Sequence, residues 1–158
     1  MSLRGATAIV GIAEAVSPTG ELDRTGRVLE TEMVLGALAE SGLALADVDG
    51  LLVAGGPMAS LQLAEHLGIH PTYTNTTATG GSSFELHVEH AAAAITAGLC
   101  DVAVCVYANT PRSDRKRGVQ SGPGLLPPPQ AVAEWEIPFA MRMPTGAHAL
   151  AASRHMAQ

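Results

Sequence analysis

The stretch SSFELHVEHAAAAITAGLCDVAVCVYA, residues 82–108, joins a helical pattern to a strand pattern and decides the fold prediction. No charged residue follows Glu89 in the helical part, and the small residues Ala91–Ala94 leave every face of that helix apolar. The apolar residues of Asp101–Ala108 are continuous, which is typical of a strand buried on both faces. A helix buried on all sides, followed by a buried strand, predicts a layered α/β protein.

The preceding sequence alternates strand and helix patterns in the same way. Residues 6–12 form a short apolar run that ends near Gly11 and predicts a central strand. Thr25–Ser41 places an apolar residue at every third or fourth position and predicts an amphipathic helix. Residues 47–56 predict a turn and a second strand, and residues 60–67 predict a short helix. This order implies a mostly parallel sheet with right-handed crossovers.

Composition excludes several classes of protein. The chain has 158 residues, of which 47% are hydrophobic and 15% are charged, and its formal net charge is −6. A negative surface opposes binding to nucleic acid and to anionic membranes. No apolar run is long enough to span a bilayer, and the first residues lack the apolar core of a signal peptide. We therefore expect a soluble cytoplasmic protein with no nucleic-acid partner and no membrane span.

The last third of the chain differs from the rest. Most of the prolines lie there, and Gly118–Gln130 contains three consecutive prolines. We expect an α/β domain over residues 1–117 and the Pro/Gly-rich start of an incomplete loop domain over residues 118–158. Cys100 and Cys105 match no zinc or redox spacing, which predicts two core thiols in a reduced compartment.

Three segments, in this order and spacing, resemble the N-terminal half of the thiolase superfamily, of the acetyl-CoA acetyltransferase and lipid-carrier-protein (sterol carrier) type. They are AIVGIAE at 8–14, LALADVDGLLVAG at 43–55 and AGLCDVAV at 97–104. The segment ALAASRHMA at 149–157 resembles the first loop-domain helix of the same group.

The resemblance implies a layered αβαβα fold made of two similar halves, of which this chain supplies about one half. That half would hold a mixed, mostly parallel sheet and a buried Ala-rich helix. The resemblance also implies a homodimer formed through the edge strand Thr72–Thr77 and an acyl-CoA thioester as substrate, with no bound cofactor. The implied activity is that of an acyl-CoA acyltransferase in lipid metabolism.

The main departure from the thiolase pattern is a missing cysteine. Thiolases place their nucleophile at the start of the buried helix, and that position falls at or beside Gly81 in this chain. One alternative is therefore a retro-aldolase that acts on a steroid-like side-chain acyl-CoA with a small OB-fold partner. Another is a non-catalytic half-thiolase with a structural or interaction role. We expect the isolated chain to be inactive.

Four residues near the start of this helix are weak candidates for the site. Ser82 and Ser83 could replace the cysteine, but a serine needs an adjacent base, and helix capping is the commoner role at this place. His87 and His90 share a helix face and could polarise a substrate carbonyl. No third ligand has a recognisable spacing, so no metal site is predicted.

A basic cluster follows the last predicted strand. Arg112, Arg115, Lys116 and Arg117 lie in a predicted loop of an otherwise acidic chain. Guanidinium groups bind phosphate oxygens with fixed geometry, so the cluster is a weak candidate for contact with the phosphates of coenzyme A. The alternative is a solvated loop.

Overall fold

A computed structural model describes residues 3–119, 134–139 and 145–158 of the chain. Contacts between Cα atoms divide it into two units, Met1–Gly122 and Pro123–Gln158. Most of the predicted loop domain, residues 118–158, therefore lies outside the described residues or in the second unit. No helix in the described ranges is long and apolar enough to cross a membrane.

The first unit contains a three-stranded parallel sheet in the order β2-β1-β3. Its strands are β1 (Gly50–Ala54), β2 (Tyr73–Thr77) and β3 (Ala103–Val106). Its helices are α1 (Gly26–Ser41), α2 (Ala59–Leu67), α3 (Ser83–Thr96) and α4 (Pro111–Lys116). The second unit contains α5 (Thr145–Met156). The predicted helices at 25–41 and 60–67 and the predicted strands at 47–56, 72–77 and 101–108 are confirmed. The last of these strands is not buried on both faces as expected, because Cys105 in it is exposed.

The helix ends follow local chemistry. Thr25 precedes α1, and its side chain accepts a hydrogen bond from the backbone N–H of Val28 at 3.4 Å. Gly42 and Gly68 end α1 and α2 with φ angles of 73° and 70°, a left-handed conformation that glycine adopts without steric cost.

The core is centred on β1, whose five residues are all buried. Leu51 and Val53 pack in one cluster with residues of α1 and α2: Val34, Leu38, Leu63 and Ala64. Side chains alternate along a strand, so Leu52 faces the opposite side, which α3 covers. Gly50 begins the strand where a Cβ atom would lie 2.9 Å from Cys100 Sγ and 3.1 Å from Ala103, so the close approach of β3 requires glycine there.

The two faces of β2 differ in their neighbours. Thr76 faces α2, because its hydroxyl donates a hydrogen bond to Ser60 Oγ at 2.8 Å. Tyr73, Asn75 and Thr77 alternate with it and therefore face α3. A row of polar side chains thus lies between the sheet and α3.

The predicted central strand at residues 6–12 is wrong. These residues form no strand, and Ile9 and Val10 are 71% and 62% exposed. The backbone N–H of Ile12 donates to Glu40 Oε2 at 2.5 Å. An apolar run becomes a strand only when neighbouring strands satisfy its backbone groups, and no described strand lies beside this one.

The expected fold of one half of a layered αβαβα structure is also wrong. The described strands form a small, wholly parallel three-stranded sheet, whereas a mixed, mostly parallel sheet within several layers was expected. Helix α3 packs on the sheet through Ser83, His87, Ala91 and Ala94. Phe84 and Val88, in contrast, are 42% and 50% exposed. Small residues allow close packing on both sides of a helix, but they do not establish that a second layer is present.

Candidate functional site

The candidate site lies where β2 ends and α3 begins, at the carboxyl edge of the sheet. Open parallel sheets bind ligands at this edge. After Thr77 the chain passes through a 3-10 turn, Gly80–Ser82, in which Gly80 has a φ angle of 78°. Gly81 is exposed and has no heavy atom within 4 Å of the place of a Cβ atom. The start of α3, where the sequence predicted the site, therefore lies at the carboxyl edge of the sheet, where ligands bind in open parallel sheets.

The two serines have different surroundings. Ser83 is buried, and its hydroxyl donates to the carbonyl of Gly80 at 2.9 Å and accepts from the N–H of Thr79 at 3.0 Å. Ser82 is exposed, and its hydroxyl donates back to the carbonyl of Thr79 at 3.2 Å. Ser82 makes no side-chain capping bond to α3, so the expected capping role is wrong for this residue. Both hydroxyls instead hold the turn together.

His87 is almost fully buried, at 1% exposure, beneath the end of β2. Its Nε2 lies 2.8 Å from Thr77 Oγ1. The Thr77 hydroxyl in turn donates to Asn75 Oδ1 at 2.9 Å. The last residue of β2 therefore fixes the position of the His87 ring next to the candidate site.

His90 joins the same network one helical turn further along α3. Its Nδ1 lies 3.1 Å from Asn75 Nδ2, which also lies 3.4 Å from the hydroxyl of Tyr73. We name Tyr73, Asn75, Thr77, His87 and His90 the polar network. The sequence analysis selected its two histidines and missed the three strand residues. One sequence signal could have found these three residues. They are polar residues at every second position of a strand, and the helix that follows carries two histidines three residues apart.

Arg112, Arg115 and Lys116 lie on α4 and Arg117 directly follows its end, so the prediction of a loop is wrong. Lys116 Nζ donates to Glu21 Oε2 at 2.6 Å, and this hydrogen bond lowers the pKa of Glu21. Arg112 donates to the carbonyl of Thr19 at 2.6 Å. These contacts tie the segment before α1 to α4.

Arg117 and Arg115 differ in their contacts. Arg117 pairs with Asp114 and donates to the carbonyl of Arg24 at 3.1 Å. Arg115 is exposed, and its side chain forms no hydrogen bond or ion pair within the described ranges. The four basic side chains are therefore not equally available to a phosphate group.

Neither cysteine lies at the start of α3. Cys100 is buried, whereas Cys105 is exposed, which corrects the prediction of two core thiols. The Cys105 thiol nevertheless points to the carbonyl of His87 at 3.7 Å, and its burial raises the pKa to about 11. No group of three or more His, Cys, Asp or Glu residues in the described ranges could hold a metal ion.

We expect Cys105 to react slowly with iodoacetamide in the folded chain. A rise in pKa from 9.0 to about 11 lowers the thiolate fraction near neutral pH about a hundredfold. The greater nucleophilicity of a more basic thiolate offsets part of this, leaving a rate about tenfold lower. Peptide mass mapping of the folded chain and of the chain unfolded in urea measures the rate at each cysteine. Equal rates at Cys105 in the folded and unfolded chain would contradict the raised pKa of this thiol.

We also expect His87 to make stability depend on pH. Burial, with a smaller contribution from the charge on His90, lowers the pKa of His87. The unfolded chain therefore binds the proton first, so stability is present above about pH 6.5 and is lost as the pH falls through the folded pKa. As the pH falls from neutral to below about 6.5, the wild type should lose more of its free energy of unfolding than His87→Gln. Urea unfolding at the two pH values measures the loss in free energy of unfolding for each protein. Equal losses would show that His87 is not shielded from solvent.

Comparisons with known proteins point to aldolases. The chain is 32% identical over 158 residues to a steroid side-chain-cleaving aldolase of Thermomonospora curvata, covering 98% of this chain and 40% of that protein. It is 36% identical over 118 residues to a 17-hydroxy-3-oxo-4-pregnene-20-carboxyl-CoA lyase of Mycobacterium tuberculosis, covering 73% of this chain and 30% of the lyase. No protein-family model matches the chain.

A solved structure agrees with these relatives. The Ltp2-ChsH2(DUF35) aldolase matches with a TM-score of 0.68 and 30% identity, over 84% of this chain and 33% of the solved chain. The chain thus spans less than half the length of the relatives that it resembles.

The recognition of an acetyl-CoA acetyltransferase or lipid-carrier-protein thiolase half is therefore wrong, as are the descriptions acyltransferase and transferase. The relatives are a side-chain-cleaving aldolase and an acyl-CoA lyase, and the structural neighbour is an aldolase. The segments that carried the resemblance are rich in small and aliphatic residues, which report packing and not chemistry. What these comparisons show is a likeness to proteins that cleave carbon–carbon bonds.

Proposed function

We propose that this chain is part of an aldolase that cleaves the side chain of a steroid acyl-CoA, working with a DUF35 protein partner in the cytoplasm. The observation that carries the proposal is the 32% identity over 98% of the chain to a steroid side-chain-cleaving aldolase. The structural match to an Ltp2-ChsH2(DUF35) aldolase supports the partner. A DUF35 partner agrees with the small OB-fold partner expected for the retro-aldolase alternative, and the homodimer through Thr72–Thr77 stays a prediction.

The reaction follows from the substrate named for the lyase. 17-Hydroxy-3-oxo-4-pregnene-20-carboxyl-CoA carries its hydroxyl on C17 and its thioester on C20. A base removes the hydroxyl proton, the C17–C20 bond breaks, and C17 becomes a ketone. The bonding pair passes to the thioester enolate, which takes up a proton to give propanoyl-CoA. This chemistry needs a base and hydrogen-bond donors to the enolate oxygen, and it needs no thiol nucleophile or bound cofactor.

The carboxyl edge of β2 brings polar side chains close to an exposed turn. Thr77 and His87 are hydrogen-bonded there, and exposed Gly81 and Ser82 follow in the turn before α3. We propose that this edge receives the thioester end of the substrate. Within the basic cluster, exposed Arg115 is the residue best placed for the phosphates of coenzyme A, since Arg112, Lys116 and Arg117 are engaged within the chain.

A chimeric enzyme tests the proposal. The segment of the Thermomonospora curvata aldolase that aligns with this chain is replaced by residues 1–158, and the product is combined with the DUF35 protein of the Ltp2-ChsH2(DUF35) aldolase. We expect conversion of 17-hydroxy-3-oxo-4-pregnene-20-carboxyl-CoA into the 17-ketone and propanoyl-CoA, detected by mass spectrometry. A folded chimera that binds the partner without cleaving the substrate would overturn the proposal. Thiol-dependent cleavage of acetoacetyl-CoA by the chimera would also overturn it.

A matched pair of variants in the chimera tests the site. Thr77→Val removes a hydroxyl at the proposed edge while keeping the shape of the side chain, so we expect kcat to fall about tenfold with little change in KM. Thr74→Val removes a hydroxyl from the opposite face of β2 and should leave kcat within about twofold of the parent value. Steady-state kinetics of the two variants measure the difference. Equal effects would place the reaction elsewhere.

A further inference from the structure

Asn75 lies at the centre of the polar network. Its side-chain oxygen accepts from Thr77, and its side-chain nitrogen faces both His90 and the hydroxyl of Tyr73. The two histidines do not appear among each other's hydrogen-bond partners, so the bonds that join them pass through Asn75 and Thr77. The orientation of one amide therefore affects both rings.

The direction of each bond follows from counting protons at Thr77. Its hydroxyl has one proton, which is donated to Asn75 Oδ1 at 2.9 Å. The 2.8 Å contact with His87 Nε2 then requires the ring to be the donor. Neutral His87 therefore carries its proton on Nε2.

The same reasoning applies at His90. An amide nitrogen donates and does not accept, so Asn75 Nδ2 donates to His90 Nδ1 across 3.1 Å. A neutral imidazole has one N–H, and its second nitrogen accepts. Neutral His90 therefore also carries its proton on Nε2.

We propose that Asn75 is a positioning residue that fixes both His87 and His90 as Nε2–H tautomers. The hydrogen bonds alone carry this assignment, and its consequence for the reaction rests on the proposed aldolase function. The His87 proton points towards Thr77, so this pair is not a nucleophile with its base. Thr77 instead accepts from one neighbour and donates to another, which suits positioning and excludes a covalent acyl-threonine route.

Nitrogen-15 spectroscopy of the chain tests the proposal without any activity measurement. Long-range proton–nitrogen correlations of labelled histidine are recorded at alkaline pH, where the imidazoles are neutral. We expect the wild-type chain to show Nε2–H signals for both His87 and His90. A wild-type His90 with its proton on Nδ1 would overturn the proposal even if no variant folds.

Two variants test the hydrogen bonds of His90 and of His87 separately. In Asn75→Asp the carboxylate still accepts from Thr77 but no longer donates, so His90 should gain a proton on Nδ1 while His87 stays Nε2–H. In Thr77→Val the acceptor for His87 is lost, so His87 should become a mixture of tautomers while His90 is unchanged. A folded Asn75→Asp chain whose His90 keeps a bare Nδ1 would overturn the proposal. Failure of the chimera to cleave the steroid would overturn the aldolase function and leave the tautomer result standing.

Discussion

Replacing Leu63 with alanine should lower the free energy of unfolding by about 3 kcal/mol. Leu63 lies on α2 at 0% exposure, in the cluster that contains Leu51 and Val53 of the central strand. Truncation removes apolar contacts and leaves a cavity that the surrounding side chains fill only in part. Because β1 pairs with both other strands, loss of this packing weakens the part of the sheet that carries the candidate site.

Leu61→Ala is the matched control, because it makes the same chemical change on the same helix. Leu61 is 50% exposed, so its truncation should cost less than about 1 kcal/mol. Urea unfolding followed by circular dichroism gives both values. Similar losses for the two variants would show that α2 does not pack on the sheet through Leu63.

Replacing Asp49 with alanine should cost about 2–3 kcal/mol. Its carboxylate accepts bonds from the backbone N–H of Asp101 at 2.9 and 3.0 Å and from that of Val102 at 2.8 Å. These charge-assisted bonds hold the chain that enters β3 beside the start of β1. Without the carboxylate, the two N–H groups lose their partner where the strands meet.

Asp47→Ala is the control for this prediction. The Asp47 carboxylate accepts one exposed bond, from the N–H of Ala44 at 2.8 Å, and its loss should cost about 1 kcal/mol or less. Urea unfolding compares the two variants, and amide hydrogen exchange at residues 101 and 102 reports the local opening. Unchanged exchange there in Asp49→Ala would contradict the role of this carboxylate.

Helices α1, α2 and α3 and the three strands of the sheet could be predicted, because the patterns that mark them are local. The spacing of Val34 and Leu38, followed by Gly42, sets both the face and the end of α1. The same reasoning failed for residues 6–12, since a strand needs partners that its own sequence does not contain. It also failed for the burial of α3, which was expected on all sides. Alanine residues let a helix pack closely against a sheet, but they do not show that a second sheet covers its other face.

The candidate site divides in a similar way. His87 and His90 could be found from their helical spacing, and the missing cysteine at Gly81 correctly raised the aldolase alternative. The sequence by itself therefore determined which helix face carried the ionisable groups. Only the tertiary structure placed Asn75 and Thr77 against those histidines, because the contacts join residues 10 to 15 positions apart across a strand and a helix. Such pairings depend on the register of the sheet, and the packing of the whole core sets that register.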